Sequence, residues 1–170
     1  MKHSSFLTAI AAATLSLVHP GVASACLPPE GPPPTSAERA ANLLTAQTGA
    51  WSRATLVYEA EIVERFMVVG VDDAHPGLAM GSYVRAAPVS LLKGEGAPEP
   101  LTFAYDLGPE CTFGPSYSPR ARGVGSRFIF YSKGAEPRTP DDVFFTLPVD
   151  AVTDPKVHTA RNSATPIPAR

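Results

Sequence analysis

The residues with the clearest possible chemistry in this chain are its two cysteines, Cys26 and Cys111. Cys26 follows Val22-Ala23-Ser24-Ala25, whose small residues are typical of an export cleavage site. Two cysteines in an exported chain commonly form one disulfide. Closing a loop of about 85 residues would stabilise the fold by roughly 4 kcal/mol in the chain-entropy model. The sequence therefore predicts a disulfide between Cys26 and Cys111.

Lipidation is the alternative fate of Cys26. Bacterial lipoprotein signals also end in a small residue before a cysteine that becomes the acylated N-terminus. Those signals favour Leu three residues before the cysteine, and this chain has Ala23 there. Ala-x-Ala suits ordinary signal peptidase better, so the pattern favours the disulfide and leaves acylation of Cys26 open.

One loop contains the only carboxylate–histidine cluster that follows the export signal, namely Asp72, Asp73 and His75. Oxygen and nitrogen ligands of this kind can hold a metal ion. Their spacing matches no established metal-binding motif, so we interpret the three residues as a solvated loop tip and predict no metal site.

Glu59 and Glu61 lie two residues apart in a predicted strand and therefore share one face of it. Paired carboxylates can do acid–base chemistry when their environments separate their pKa values. Val57 and Val63 flank them on what we take to be an outer face, so we interpret both glutamates as solvated charges.

Motifs of nucleophilic, redox and phosphate chemistry do not occur in the sequence. It has no Gly-x-Ser-x-Gly and no Cys-x-x-Cys, and Gly94-x-Gly96 reads as a turn. Histidines are few after the export signal, since only His75 and His158 remain. The sequence thus predicts no catalytic residue and no cofactor.

Residues 1–25 read as a signal peptide. Lys2 and His3 form a positive start, and Phe6 to Val18 is an apolar run of about thirteen residues, shorter than the roughly 20 that span a membrane. Cleavage leaves about 145 residues, the size of one domain. The formal net charge of −2 argues against a nucleic-acid partner. We expect a periplasmic or secreted protein, with membrane attachment only if Cys26 is lipidated.

The exported part divides into a proline-rich lead-in at 26–35, a helix and β domain at 36–150, and a polar C-terminal tail at 151–170. Thr35 and Glu38 fit a capping box, which predicts a helix over about 36–48. Alternating apolar residues predict five strands, over 54–69, 82–92, 100–106, 126–132 and 143–149. A phase change in the first strand predicts a bulge, and Pro88 predicts an edge or bulge in the second.

Five strands without alternating helices favour a small Greek-key barrel or sandwich. The strand Thr55–Val63, the strand end Leu91-Leu92-Lys93-Gly94, the isolated Cys111 and the strand Arg127–Tyr131 follow one another in an order that resembles a known family. That family is the oligonucleotide/oligosaccharide-binding (OB) barrel of the tissue inhibitors of metalloproteinases and netrin-like modules, and of uncharacterised bacterial exported proteins that share it. The resemblance covers about residues 54–132 and implies a mainly β fold, a five-stranded OB-like barrel with one N-terminal helix.

The same resemblance implies that Cys26 is the mature N-terminus and is bridged to Cys111. In the inhibitors, the α-amine and carbonyl of that terminal cysteine chelate the zinc of the target protease. The inhibitors begin Cys-x-Cys, however, whereas Cys26 is followed by Leu27-Pro28. We therefore expect a non-catalytic exported barrel that binds a protein or a cell-envelope component. The alternatives are a metalloprotease inhibitor acting through Cys26 and a lipoprotein anchored at Cys26.

Overall fold

The computed structural model describes residues 32–70, 74–104 and 118–168. Within them the chain is mainly β, with six strands in one antiparallel sheet and two α-helices. The predictions for the signal peptide, for Cys26 and Cys111, and for Asp72 and Asp73 fall outside these residues.

The helices and strands follow one another in a simple order along the chain. Their bounds are α1 Ser36–Arg53, β1 Leu56–Val68, β2 Gly81–Lys93, β3 Leu101–Ala104, β4 Arg127–Ser132, β5 Val143–Pro148, α2 Pro155–Asn162 and β6 Thr165–Pro166. The strands lie in the order β3-β2-β1-β4-β5, and β6 pairs with β2. The part β4-β1-β2-β3 has the spatial order of a Greek key.

The five predicted strands all form, but the predicted barrel of five strands is not confirmed. The sheet has six strands and does not close, because β3 and β5 remain its two edges. β3 has only four residues and begins directly after Pro100, which has no backbone N–H to donate to a ladder. A cavity of about 390 Å³ lies between these edges, lined by Phe103 of β3 and by residues of β5.

The first helix begins where the sequence predicts and ends later. Thr35 accepts a hydrogen bond from the Glu38 amide, and the Glu38 carboxylate accepts one from the Thr35 amide, which confirms the capping box. Gly49 does not end the helix, which continues to Arg53. Lys93 of β2 donates to the carbonyls of Trp51 and Ala54, both at 2.6 Å, and so supplies partners to the last turn.

The sheet carries one apolar cluster on each face, as strict alternation requires. One cluster is formed by residues of β1, β2, β3 and β4 and contains Leu56, Tyr58, Ala60, Ile62, Val84, Ala86, Leu101, Phe103, Phe128 and Phe130. The other lies beneath α1 and α2 and contains Ala50, Ala54, Val57, Ile129, Tyr131, Leu147, Val152 and Val157. Both clusters take residues from β4, so this strand is buried on both faces.

Residues 155–166, which the sequence analysis treats as part of a polar tail, form α2 and β6. Asp154 accepts a hydrogen bond from the Lys156 amide and Pro155 occupies the first helical position, so the helix start is well specified. The helix places Val157 in the second cluster, where it is fully buried. Because α2 is short and buries only one apolar residue, the sequence shows no periodic apolar pattern there.

Two buried tyrosine hydroxyls have no hydrogen-bond partner among the described residues, those of Tyr58 and Tyr131. Burial raises the pKa of both phenols, and the negative charges of Asp142 and Asp154 add to this for Tyr58 and Tyr131 respectively. Because burial raises the folded-state pKa, folding favours the neutral phenol. Its contribution to the free energy of unfolding is complete below the ordinary tyrosine pKa of about 10 and is lost as the pH rises above that value.

We predict that Tyr58→Phe leaves the free energy of unfolding unchanged or raises it by about 1 kcal/mol at neutral pH, because it removes an unsatisfied buried hydroxyl. It should also reduce the loss of stability above about pH 10. Urea titrations of both proteins at neutral and alkaline pH measure this. A loss of more than about 1 kcal/mol at neutral pH would show that the hydroxyl has a partner.

Candidate binding cleft

An apolar cleft of about 510 Å³ opens at the edge of β2, and we call it the proline cleft. Five of its lining residues are prolines, namely Pro88, Pro98, Pro100, Pro166 and Pro168. The other walls come from β1, β2, the loop before β3 and the chain around β6, through Glu61, Val63, Ala87, Val89, Leu91, Gly96, Ala97, Thr165 and Ile167. A volume of this size is typical of a ligand site.

The cleft exists because two segments share the edge of β2 and leave a gap between them. β3 pairs with β2 from Tyr83 to Ala86, and β6 pairs with it at Ser90 and Leu91. The Ile167 amide donates to the Val89 carbonyl at 2.8 Å and extends the second pairing by one residue. Pro88 lies between the two pairings, next to a shift of the β1–β2 register, as the sequence predicts.

The lining makes the cleft rigid and weakly polar. Proline rings hold φ near −65° and leave no side-chain torsion to freeze on binding. Among the residues that line the cleft, Glu61 and Thr165 have the polar side chains. The site therefore suits a mainly apolar occupant and offers it a preorganised wall.

The charges beside the cleft form a neutral cluster of two glutamates and two arginines. The Arg127 Nε donates to Glu61 at 2.9 Å, and the Arg127 Nη1 donates to Glu59 at 3.3 Å. The Arg161 Nε of α2 donates to the second oxygen of Glu59 at 2.9 Å. The hydrogen bond with Glu61 raises the pKa of the Arg127 guanidinium further.

The interpretation of Glu59 as a solvated charge is wrong. Its residue exposure is 4%, because α2 covers this part of the sheet and brings Arg161 over it. Residues 155–162 show no periodic pattern in the sequence, so no helix was predicted on that face. Glu61 is more exposed, with 31% of its side chain accessible, and is paired with Arg127. Both carboxylates are bridged by guanidinium groups, which is the arrangement of a structural ion-pair network.

We predict that Glu59→Ala lowers the free energy of unfolding by about 1–3 kcal/mol, because it removes the carboxylate that pairs with Arg161 beneath α2, whereas Arg127 keeps Glu61. Glu136→Ala is the matched control, since Glu136 pairs with Arg138 on the surface at 3.2 Å and both side chains are mainly exposed. That control should change stability by less than about 0.5 kcal/mol. Equal effects in urea titrations would contradict the structural role of Glu59.

His75 is the one member of the predicted loop cluster that the structure describes. Its ring stacks on Phe66 with 4.0 Å between centroids, and Phe66 also stacks on Tyr83 at 5.6 Å. Within the described ranges no three His, Cys, Asp or Glu residues are grouped so that they could share a metal ion. His75 therefore has a visible packing role at the far end of the β1–β2 hairpin.

Sequence reasoning missed the proline cleft, although each of its prolines was visible. The signal was the recurrence of proline beside the edge of one strand, in Pro98 and Pro100 before β3 and in Pro166 and Pro168 near the C-terminus. Because β6 was not predicted, nothing in the sequence placed residues 165–168 next to β2. In the structure, the pairing of Thr165 and Pro166 with β2 brings this segment to the cleft.

A scan against protein-family models and a search of curated proteins both returned no match for this chain. No helix in the described part of the chain combines the length and the apolar character that a membrane span requires.

Proposed function

We propose that this protein is an exported, non-catalytic binding domain, and that the proline cleft holds an extended apolar segment of a secreted or cell-envelope protein. The observation that carries the proposal is the gap at the edge of β2, where a rigid apolar cleft adjoins a strand edge. Apolar pockets with few polar groups are the usual form of a binding site. The Greek-key order of β4-β1-β2-β3 supports an OB-like relationship at the level of topology.

The chain itself indicates what kind of occupant fits. Residues 165–168 already lie against β2 as a short extended segment, with pairing at Ser90 and Leu91 and a hydrogen bond to Val89. The backbone groups of this edge are already used by β3 and by residues 165–167, so a second segment that enters the cleft would gain its affinity from apolar side chains held against the prolines. The cleft beside Val89 and Ile167 would take one or two aliphatic or aromatic side chains.

The charges favour a partner without a strong net charge at this point. Glu59 and Glu61 are balanced by Arg127 and Arg161, so the cluster beside the cleft is formally neutral. A strongly basic or acidic segment would gain little there and would lose its hydration. We therefore expect apolar residues in the part of the partner that enters the cleft.

A random peptide library displayed on phage tests the proposal. We expect enrichment of peptides with two or more apolar residues, and about tenfold weaker binding of these peptides to Ile167→Asp, which puts a carboxylate on the cleft wall. Leu44→Asp is the matched control, because Leu44 is a 40% exposed aliphatic residue of α1 that does not line the cleft. No enrichment, or equal loss in both variants, would contradict the proposal.

Export and the fate of Cys26 are proposed from the sequence, because both cysteines fall outside the described residues. The intact mass of the protein purified from its native cell tests them, with and without reductant. A chain that begins at Cys26 and gains two hydrogens on reduction supports the disulfide with Cys111. Added acyl mass would support the lipoprotein instead. The inhibitor alternative requires a free α-amine at Cys26. Its test is a variant with one residue added ahead of Cys26, and unchanged inhibition of a metalloprotease by that variant would contradict it.

A further inference from the structure

Glu61 offers the proline cleft a hydrogen-bond acceptor that the fold does not use. Glu61 lines the cleft, and its Oε2 accepts from the Arg127 Nε at 2.9 Å. No described residue donates a hydrogen bond to its other oxygen, Oε1. Because Arg127 does not line the cleft, Oε1 is the oxygen that remains for an occupant. The side chain is 31% accessible, so a molecule in the cleft can reach it.

The position of Glu61 is fixed from both sides of β1. It lies directly opposite Arg127 of β4 and Ala87 of β2. Arg127 is itself anchored, because its Nη1 donates to Glu59, a buried residue that also accepts from Arg161 of α2. An acceptor that is held in place before binding loses little conformational entropy when an occupant meets it.

The surroundings of this acceptor are apolar. Ala87 contributes a methyl group, and Val63, two residues after Glu61, is 46% exposed and also lines the cleft. The other polar side chain of the lining is Thr165, whose hydroxyl can both donate and accept. Among the described residues that line the cleft, Glu61 is therefore the one whose side chain, as a carboxylate, accepts hydrogen bonds and donates none.

An occupant that is only apolar would leave this acceptor unsatisfied. It would displace water from Oε1, and a carboxylate oxygen that loses its hydrogen bonds on burial costs free energy. An ammonium or guanidinium group would satisfy Oε1 but would add a positive charge beside Arg127 and Arg161, in a cluster that is already neutral. The site therefore favours a neutral donor carried on an apolar body. Tryptophan combines these properties, because its indole has a large apolar surface and one N–H that can only donate.

We propose that Glu61 selects a tryptophan in the segment that occupies the proline cleft, with the indole N–H donating to Oε1 of Glu61. This inference rests on the proposed function of the cleft and adds the chemistry of its specificity. The proline rings of the lining pack against the apolar faces of the indole. The carboxylate then keeps one donor on each oxygen, Arg127 on Oε2 and the indole on Oε1.

The variant Glu61→Gln reverses the polarity of the acceptor and nearly conserves its shape. A guanidinium has only donors, so the amide oxygen of the glutamine has to face Arg127, and its NH2 group takes the position of Oε1. Two donors would then meet in the cleft. We expect a tryptophan peptide to bind this variant about tenfold more weakly than wild type. The variant stays folded, because Arg127 keeps its hydrogen bond to Glu59.

The test is a double-mutant cycle with tryptophan peptides that the wild-type protein selects from the phage library. Each is compared with the same peptide carrying benzothienylalanine, in which sulfur replaces the indole N–H. Isothermal titration calorimetry measures the four affinities. We expect wild type to prefer the tryptophan peptide about tenfold and Glu61→Gln to show no such preference. A variant that binds both peptides more weakly but keeps the tenfold preference would overturn the role of Glu61.

Glu136→Gln is the matched control, because Glu136 also pairs with one arginine, Arg138, and does not line the cleft. It should bind both peptides as wild type does. The library separates a failure of this inference from a failure of the proposed function. Enriched apolar peptides without tryptophan would overturn the selection by Glu61 and leave the cleft as a binding site, whereas a library without enriched peptides would contradict both.

Discussion

Replacing Gln47 by leucine should lower the free energy of unfolding by about 3–5 kcal/mol. Gln47 is fully buried in α1, and its side chain makes four hydrogen bonds with the turn before α2. Its Nε2 donates to the Ala151 carbonyl at 3.3 Å and to the Thr153 hydroxyl at 2.9 Å. Its Oε1 accepts from the Thr153 amide at 2.9 Å and from the Asp154 amide at 3.0 Å.

Leucine nearly conserves the volume, so the expected loss measures the unsatisfied backbone groups rather than a cavity. The matched control is Asn42→Leu, which replaces an amide on the exposed side of the same helix. It should change stability by less than about 0.5 kcal/mol. Urea titrations of the three proteins in the same oxidation state give the comparison. Equal small effects would mean that α1 does not depend on the turn at 151–154.

Replacing Gly94 by alanine should cost about 3–4 kcal/mol. Gly94 has a φ of 82°, in the region that favours glycine, and it follows β2 in a turn. A Cβ at this position would collide with the backbone carbonyl oxygen of Thr55, which directly precedes β1. Because Thr55 is fixed by a 2.9 Å hydrogen bond from its amide to the Ser132 carbonyl, the collision cannot relax through a side-chain rotation.

Two other glycines separate the causes of that loss. Gly70 has a φ of 76° but no neighbouring atom within 4 Å of an added Cβ, so Gly70→Ala should cost only the backbone strain of about 1–2 kcal/mol. Gly134 has neither restriction, and Gly134→Ala should be within about 0.5 kcal/mol of wild type. Urea titration should therefore rank Gly94→Ala, Gly70→Ala and Gly134→Ala in order of decreasing cost. Similar values for the first two would contradict the collision.

The strands were predictable because their apolar residues alternate, and the capping box at Thr35 fixed the start of α1. The phase change after Arg65 and the presence of Pro88 predicted irregular pairing, and register shifts lie nearby, between Ile62 and Glu64 and opposite Pro88; the shift between Val57 and Tyr58 was not predicted. Closure of a barrel could not be predicted from the same signals, because pairing between β3 and β5 depends on tertiary geometry. The four residues of β3 show no pairing with β5.

The candidate site was not predictable, for a different physical reason. Residues 165–168 are Thr-Pro-Ile-Pro, too short a segment to show a periodic pattern, and α2 buries one apolar residue, Val157. Both segments are held by long-range contacts, through Gln47, Glu59 and the edge of β2, that no local pattern encodes. Because α2 was missed, Glu59 was placed in solvent and the neutral charge cluster beside the cleft was not foreseen.

Photo-crosslinking from the cleft in the cell that makes the protein tests the central claim most directly. Ala97 is an exposed lining residue, so a benzophenone amino acid in its place reaches an occupant without disturbing the core. The same group at Leu44 on α1 is the control. We predict that the group at position 97 forms adducts with a polypeptide and that Ile167→Asp abolishes these adducts. The group at position 44 should form none of the same adducts. The same adducts from both positions, or none from the cleft, would contradict the assignment of the proline cleft as the binding site.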